Sequence, residues 1–319
     1  MKLKSPALLR TFLLALIPVL AACGGPEKKG GGEASAPPPA AKSEKNITVK
    51  GSDTMVNLAQ RWAEVYMKEH PGTTIQVTGG GSGTGIAALI NGTTDIANSS
   101  RPLKAQEKEK AQAQGGQIQE FAVAYDGLAV VVSASNPLKE LSLAQLKDIY
   151  TGKYNDWKEV GGNEGKIIRY CRESNSGTYV FFKEHVLGNQ DYAPDCQTMP
   201  GTAAIAEALA RDPRGIGYGG DAYFETRSSL KLLPLKKDDQ SAAISPLTPE
   251  GKLDMEAIRS MKYPLSRSLY IYTLNAPTGE TKAFIDWILA QGGQQIVGEV
   301  GYVPLGGGTA AAQNTPPAK

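Results

Sequence analysis

"TTIQVTGGGSGTGIAALINGTTDIANSS", residues 73–100, sets a period-two run, a string of small residues and a helix-period run inside the length of one β-α-β unit. Thr73–Thr78 alternates apolar and polar side chains as a half-buried strand does, "TGIAALING" has the spacing of a short helix, and "TDIANSS" reads as the next strand. Upstream, "NITVKG" (46–51) is strand-like, and Met55, Leu58, Ala59, Trp62, Val65 and Tyr66 recur at helical spacing until "HPG" stops them. A β-α-β-α-β start of this kind predicts an α/β fold with a mostly parallel sheet.

Two long β-rich runs follow, "EFAVAYDGLAVVVS" (120–133) and "YPLSRSLYIYTL" (263–274). Between them lie shorter elements: "LSLAQLKDIYTG", the strand "IIRYCRES", helices in "TYVFFKEHVLG" and "GTAAIAEALA", and "GIGYGG". After the second run, "TKAFIDWILAQGGQQIVGEV" (281–300) is expected as one substantial helix. Two extended crossings around a middle block predict two α/β lobes joined by a hinge of two crossover strands. Residues 46–130 and 270–305 would form a discontinuous lobe I and residues 131–269 lobe II, with 306–319 a disordered tail.

The chain has 319 residues, 41% hydrophobic and 21% charged, enough for two lobes with their own cores. Its first residues carry Lys2, Lys4 and Arg10, then the apolar "TFLLALIPVL", then small residues before Cys23. This is an export signal, too short for an ordinary spanning helix. Leu20-Ala21-Ala22-Cys23 resembles a bacterial lipobox, which implies a signal peptide over residues 1–22 and a lipid on Cys23 that anchors the chain to a membrane. Residues 23–45, rich in Gly, Pro, Ala and Lys, cannot bury enough surface to fold and are expected to be a disordered tether.

With Cys23 assigned to lipid, Cys171 and Cys196 can form one disulfide in an oxidising exterior compartment, worth about 3–4 kcal/mol. No C-x-x-C pair with nearby histidines suggests a metal. The formal charge of +2 falls to −1 once the cations of the signal are removed, so no basic field invites nucleic acid. Anion chemistry, if present, must be local.

It is local in three places: "GSDTM" (51–55), "GSGTG" (81–85) and "NSGTY" (175–179). Each sets a Ser, one intervening residue and a Thr at the expected start of a helix. First-turn amides lack intrahelical acceptors and carry the positive end of the helix dipole, and hydroxyls add donors beside them. Ser and Thr are also the ordinary N-caps of helices, so one such motif decides nothing. Three in one chain predict convergence on a single bound anion. Arg172 adds a planar fork of donors for two oxygens of phosphate or sulfate, although Glu173 beside it is an alternative partner. In "DIANSSR", Ser99 and Ser100 close a strand at the carboxyl edge where open α/β sheets bind ligands, while Arg101 is expected in a structural ion pair.

"GSDT", "GGGSGTG", "DIANSSR" and "RESNSGT", in this order, resemble the phosphate-binding proteins of bacterial phosphate ABC transporters, and the resemblance covers nearly all of residues 46–305. It implies a type II periplasmic binding-protein fold whose two lobes close over a desolvated oxyanion. By matching position, Thr54, the backbone of Met55, Ser82, Ser100, Arg172, Ser176, Gly177 and Thr178 would ring inorganic phosphate. The chain would be a monomeric, cofactor-free and metal-free receptor at the outer surface of the membrane or in the periplasm, delivering its ligand to the permease subunits of an ABC transporter.

The chain departs from that family at one position. Well-known members carry an aspartate where Ser100 stands here, and that carboxylate accepts the proton of hydrogen phosphate while disfavouring sulfate. Asp53 and Asp126 are the candidate acceptors in its place, Asp53 the favoured one. Either could instead be structural, Asp53 as a helix cap and Asp126 in the hinge.

Other readings fit less well. "GGSGTG" lacks the lysine a P-loop needs, and "GTGIAA" has too short a helix for a dinucleotide fold. His70 and His185 sit near no G-x-S-x-G elbow, which leaves a secreted phosphatase without nucleophile, base or metal ligands. A binding protein for another tetrahedral, sulfate-like oxyanion is the nearer alternative.

Overall fold

The computed structural model describes residues 45–224 and 226–306. The expected signal peptide, Cys23, the tether up to residue 44 and the tail from 307 lie outside the described residues. Strand β1 (Lys45–Gly51) starts at residue 45, which the sequence assigns to the end of the tether, one residue before the expected start of lobe I. It leads through a 3-10 turn (Asp53–Met55) into α1 (Val56–Glu69), followed by β2 (Thr73–Thr78), α2 (Ser82–Ile90), β3 (Ile96–Ser99) and α3 (Ala105–Ala113). Helix α1 buries Leu58, Ala59, Trp62, Ala63 and Tyr66, the face its spacing predicts, and ends at His70 because Pro71 disfavours helical backbone in the residue before it.

The middle block comprises β4 (Ile118–Ser133), β5 (Leu141–Ser142), α4 (Leu143–Tyr150), β6 (Ile168–Arg172), α5 (Gly177–His185), β7 (Gln197–Met199), α6 (Gly201–Arg211) and β8 (Gly215–Gly220). Short strands β9 (Leu230–Leu232) and β10 (Leu235–Lys236), then α7 (Met255–Arg259), lead to the return strand β11 (Ser266–Leu274) and to α8 (Gly279–Leu289) and α9 (Gln291–Glu299).

The main sheet runs β2-β1-β3-β11-β4-β8-β6-β7, with β9 also beside β4. Strand β1 is parallel to β2 and β3 at one end, and β6 is parallel to β7 and β8 at the other. The two parallel groups are joined by antiparallel β4 and β11, the two crossing strands. Strand β4 pairs with β11 as far as Gly127 and with β8 from Leu128 onward. Its burial changes at the same place, from partial cover to full burial between Asp126 and Val132, as expected of a strand entering a sheet covered on both faces. One core gathers Ile47, Val49, Trp62, Ile96, Ile271 and Phe284, and a second gathers Val130, Val132, Ile149, Tyr150, Phe182 and Tyr218.

Cys171 and Cys196 are joined by a disulfide, tying β6 to the loop before β7, with Cα atoms 6.0 Å apart. The single helix expected over 281–300 is two helices, α8 and α9, because Ala290 between them is extended (φ −78°, ψ 171°). Gly292 and Gly293 weaken any continuous helix there, and Trp62 Nε1 donates to the Gly293 carbonyl at 2.8 Å, fixing α9 against α1 instead.

Candidate anion site

Each of the three Ser-x-Thr motifs follows the carboxyl end of a strand: β1, β2 and β6. In the first, the 3-10 turn closes with the Met55 amide donating to the Ser52 carbonyl at 3.0 Å. The Met55 amide, expected to face the anion, is thus engaged inside its own turn, because a 3-10 turn bonds three residues back. In the second, Gly81 takes φ +88° and turns the chain into α2 at Ser82. In the third, Ser176 caps α5, its hydroxyl accepting from Tyr179 N at 3.4 Å.

These starts meet. Thr54 Oγ1 and Thr178 Oγ1 are 3.0 Å apart, and Ser82 Oγ lies 3.4 Å from Ser100 Oγ and accepts from the Ser100 amide at 3.1 Å. Gly177 packs against that second pair so closely that a Cβ there would overlap Ser82 Oγ and stand 2.7 Å from Ser100 Oγ. Thr54, Ser82, Ser100, Ser176, Gly177 and Thr178 are all buried. Gly177 and Thr178 occupy the first turn of α5, where amides have no intrahelical acceptor. Hydroxyl donors and open amides thus line one dry spot, an arrangement suited to an oxyanion.

The glycine run at 79–85 has a role beyond the one expected. What comes close to Gly81 and Gly83 is the chain itself: a Cβ at Gly81 would meet the Asn175 carbonyl oxygen at 2.8 Å, and Gly83 N donates to that oxygen at 2.9 Å. Asn175 Nδ2 adds bonds to the Gly80 carbonyl and Thr84 Oγ1, both at 3.0 Å. The loop after β6 is therefore fastened across the cleft to the start of α2.

Arg172 is buried, 1% exposed, and its donors are engaged with Asp53 Oδ2 (2.8 Å), Glu173 Oε2 (3.1 Å) and Thr202 Oγ1 (3.1 Å). Its partnership with Glu173 is real, and Asp53 is a second one. Asp53 Oδ1 also accepts from Gly80 N at 2.8 Å, so both oxygens of the favoured proton acceptor are occupied by donors. Arg101 pairs with Glu107 at 2.6 Å, the structural ion pair expected of it.

The cation in direct contact with the hydroxyls is Arg267, which the sequence reading missed. Its guanidinium donates to Thr178 Oγ1 at 3.0 Å, Thr54 Oγ1 at 3.4 Å and the Ser100 carbonyl at 3.3 Å. On its other side it pairs with Asp126, Nε to Oδ2 at 2.7 Å, and stacks 5.5 Å from the Phe181 ring centroid. A signal for it was present: in "SRSLYIY", Arg267 shares the buried phase of β11 with Leu269 and Ile271, and a charge on that phase needs a partner. Burial pushes the Asp126 carboxyl above its usual range, against the pull of Arg267. Among the described residues no group of His, Cys, Asp or Glu is placed to hold a metal.

Two α/β lobes on a pair of crossing strands, with an anion-suited site where strand ends face each other, define a type II periplasmic binding protein. The sequence profile of the PBP superfamily domain matches residues 36–291. The chain is 33% identical over 277 residues to the phosphate-binding protein PstS of Pseudomonas aeruginosa, spanning 82% of this chain and 83% of that one. It is 30% identical over 305 residues to the phosphate-binding protein PstS of Bacillus subtilis, spanning 95% of each. Among solved structures, an ABC-type phosphate transport receptor from Vibrio cholerae superposes with a TM-score of 0.64 at 30% identity, over 81% of this chain and 99% of that one. A Clostridium perfringens protein solved with bound phosphate gives a TM-score of 0.72 at 29% identity, over 82% of this chain and 99% of that one. The chain belongs to the PstS family of substrate-binding proteins, which are non-enzymatic transport components.

Proposed function

We propose that this chain captures inorganic phosphate at the cell envelope and delivers it to the permease of a phosphate ABC transporter. The observation that carries the reading is the meeting of three helix starts: Thr54 against Thr178 at 3.0 Å, and Ser82 against Ser100 at 3.4 Å with Gly177 packed on both. The anion is held by Thr54, Ser82, Ser100, Ser176 and the open amides of Gly177 and Thr178, with Arg172 bordering the site through Asp53. Residues 46–130 with 270–305 act as one lobe and 131–269 as the other, closing on β4 and β11. Cleavage after residue 22 leaves Cys23 to carry the lipid, and the tether lets a monomeric receptor reach its permease.

Micromolar capture needs about 8 kcal/mol net, within reach of several charge-assisted hydrogen bonds in a closed cleft. The test is calorimetric titration of the refolded, phosphate-free protein with phosphate, beside Arg172→Ala. Saturable wild-type binding, weakened at least tenfold in the variant, is expected. A wild type that fails to bind at millimolar phosphate refutes the reading.

A further inference from the structure

The turn that presents Thr54 is lightly built from within. It spans three residues, Asp53–Met55, has no side-chain cap at Ser52, and closes on two backbone bonds, Met55 N to the Ser52 carbonyl and Val56 N to the Asp53 carbonyl. Two phenols hold it from outside: Tyr302 Oη donates to the Thr54 carbonyl, and Tyr223 Oη donates to the Asp53 carbonyl at 2.8 Å. A carbonyl oxygen has two lone pairs, so Asp53 accepts the Val56 amide and the phenol together. The two rings are rooted in different cores. Tyr302 belongs to the core of Ile47, Trp62 and Ile96, which also contains Met55 of the turn itself. Tyr223 ends a second 3-10 turn (Asp221–Tyr223) after β8 and packs against the cluster of Ala129, Val131 and Ile205. The end of β8 leans on the same turn, since a Cβ built on Gly220 would lie 3.1 Å from Thr54 Cγ2.

We propose that Tyr223 is a positioning residue of the oxyanion site: it holds the Asp53–Met55 turn, and with it the Thr54 hydroxyl, in place against Thr178 once the two lobes close. The inference rests on the oxyanion reading and concerns a residue that acts through the turn rather than on the ligand. Thr54 Oγ1 stands 3.0 Å from Thr178 Oγ1, and a shift of the turn's backbone would move that hydroxyl directly. Tyr302 shares a core with the turn, so its bond is kept with the lobes open or closed and favours neither state. Tyr223 comes from the block over residues 131–269, so its bond to Asp53 forms on closure and adds its free energy to the liganded state alone. Its proton is secure. Burial foremost, then the Asp53 carboxylate, pushes the phenol up to about 12 against the pull of Arg172, which keeps it a donor across neutral pH. Arg172 reaches Asp53 as well, but at the side-chain oxygen, whereas the phenol grips the backbone that carries Thr54.

The experiment compares wild type, Tyr223→Phe and Tyr302→Phe by phosphate calorimetry, stopped-flow binding and release, and melting of the phosphate-free protein. Each substitution removes one oxygen and keeps the ring. Tyr223→Phe is expected to weaken phosphate by about threefold or more, through faster release at an unchanged association rate, with the unliganded melting temperature within about one degree of wild type. Tyr302→Phe is expected to lower that melting temperature, because its bond lies inside one core. Affinity in Tyr223→Phe closer to wild type than about threefold, a loss carried by slower association, or a drop in unliganded melting temperature like that of Tyr302→Phe overturns the assignment. A second readout needs no variant that must fold: 3-fluorotyrosine placed at position 223 alone should move its fluorine resonance when phosphate is added, and a resonance indifferent to phosphate overturns the assignment. A wild type that binds no phosphate refutes the oxyanion reading itself, whereas wild-type binding with an indifferent Tyr223→Phe refutes only the role of Tyr223.

Discussion

Replacing Asn175 with Ala should weaken ligand binding without touching the ligand. Asn175 sits between β6 and α5, and its Nδ2 donates across the cleft to the Gly80 carbonyl and to Thr84 Oγ1, both at 3.0 Å. The substitution deletes those two bonds and leaves the backbone bond from Gly83 N in place at 2.9 Å. Both bonds are exposed, which sets each at about 0.5–1 kcal/mol net and the pair at about 1–2 kcal/mol. If the lobes part when the site empties, all of that loss falls on the closed state, and affinity drops by about 5- to 30-fold. The loss should appear in the dissociation rate, since the encounter happens before these bonds form. Stopped-flow release of phosphate and calorimetry measure the two quantities. Sulfate, if bound, should weaken by the same factor, because either ligand closes the same lobes. Affinity within twofold of wild type, together with a lowered melting temperature of the unliganded protein, would refute the reasoning: the bonds would then persist without ligand and fasten nothing on closure.

Gly177→Ala places a methyl group against Ser82 Oγ and Ser100 Oγ, which belong to the opposite side of the cleft. Phosphate affinity should fall at least tenfold in calorimetry while the unliganded melting temperature stays within a few degrees. Glu280 accepts from Lys45 Nζ, Tyr66 and Thr73, and these partners, Lys45 foremost, hold its carboxyl down at about 2. A carboxylate depressed in the folded state contributes stability above its unfolded value and loses it as pH falls. Glu280→Gln should therefore reduce stability by about 1–2 kcal/mol at neutral pH in urea melts, with the difference from wild type shrinking between about pH 4.5 and pH 2.

The parts legible in the sequence were those whose signal is local. A Ser-x-Thr beside glycine marks a helix start wherever it occurs, and α2 and α5 begin within two residues of the expected positions. The crossing strands were legible as β-rich runs longer than their neighbours. Pairing across the chain was not. Asp53 looked available because Arg172, which occupies it, lies 119 positions away, and Arg267 meets Asp126 across a separation of 141. Only the antiparallel register of β4 and β11 puts them opposite, and a shift of one residue would turn Arg267 to the other face. The glycine run misled in an instructive way. Absence of side chains there permits a close approach, and the sequence offered an anion to fill it, but at Gly81 and Gly83 the visitor is the Asn175 carbonyl of the same chain. The same physics serves both: a small residue lets an oxygen near an amide. Composition cannot distinguish a ligand's oxygen from one on the facing loop, whereas the distance of Asn175 from α2 can. Closure uses the Gly83 amide and capture the Ser82 hydroxyl beside it, neighbours at the start of α2, which is why a change at Asn175, outside the hydroxyl ring, is expected to register as lost affinity.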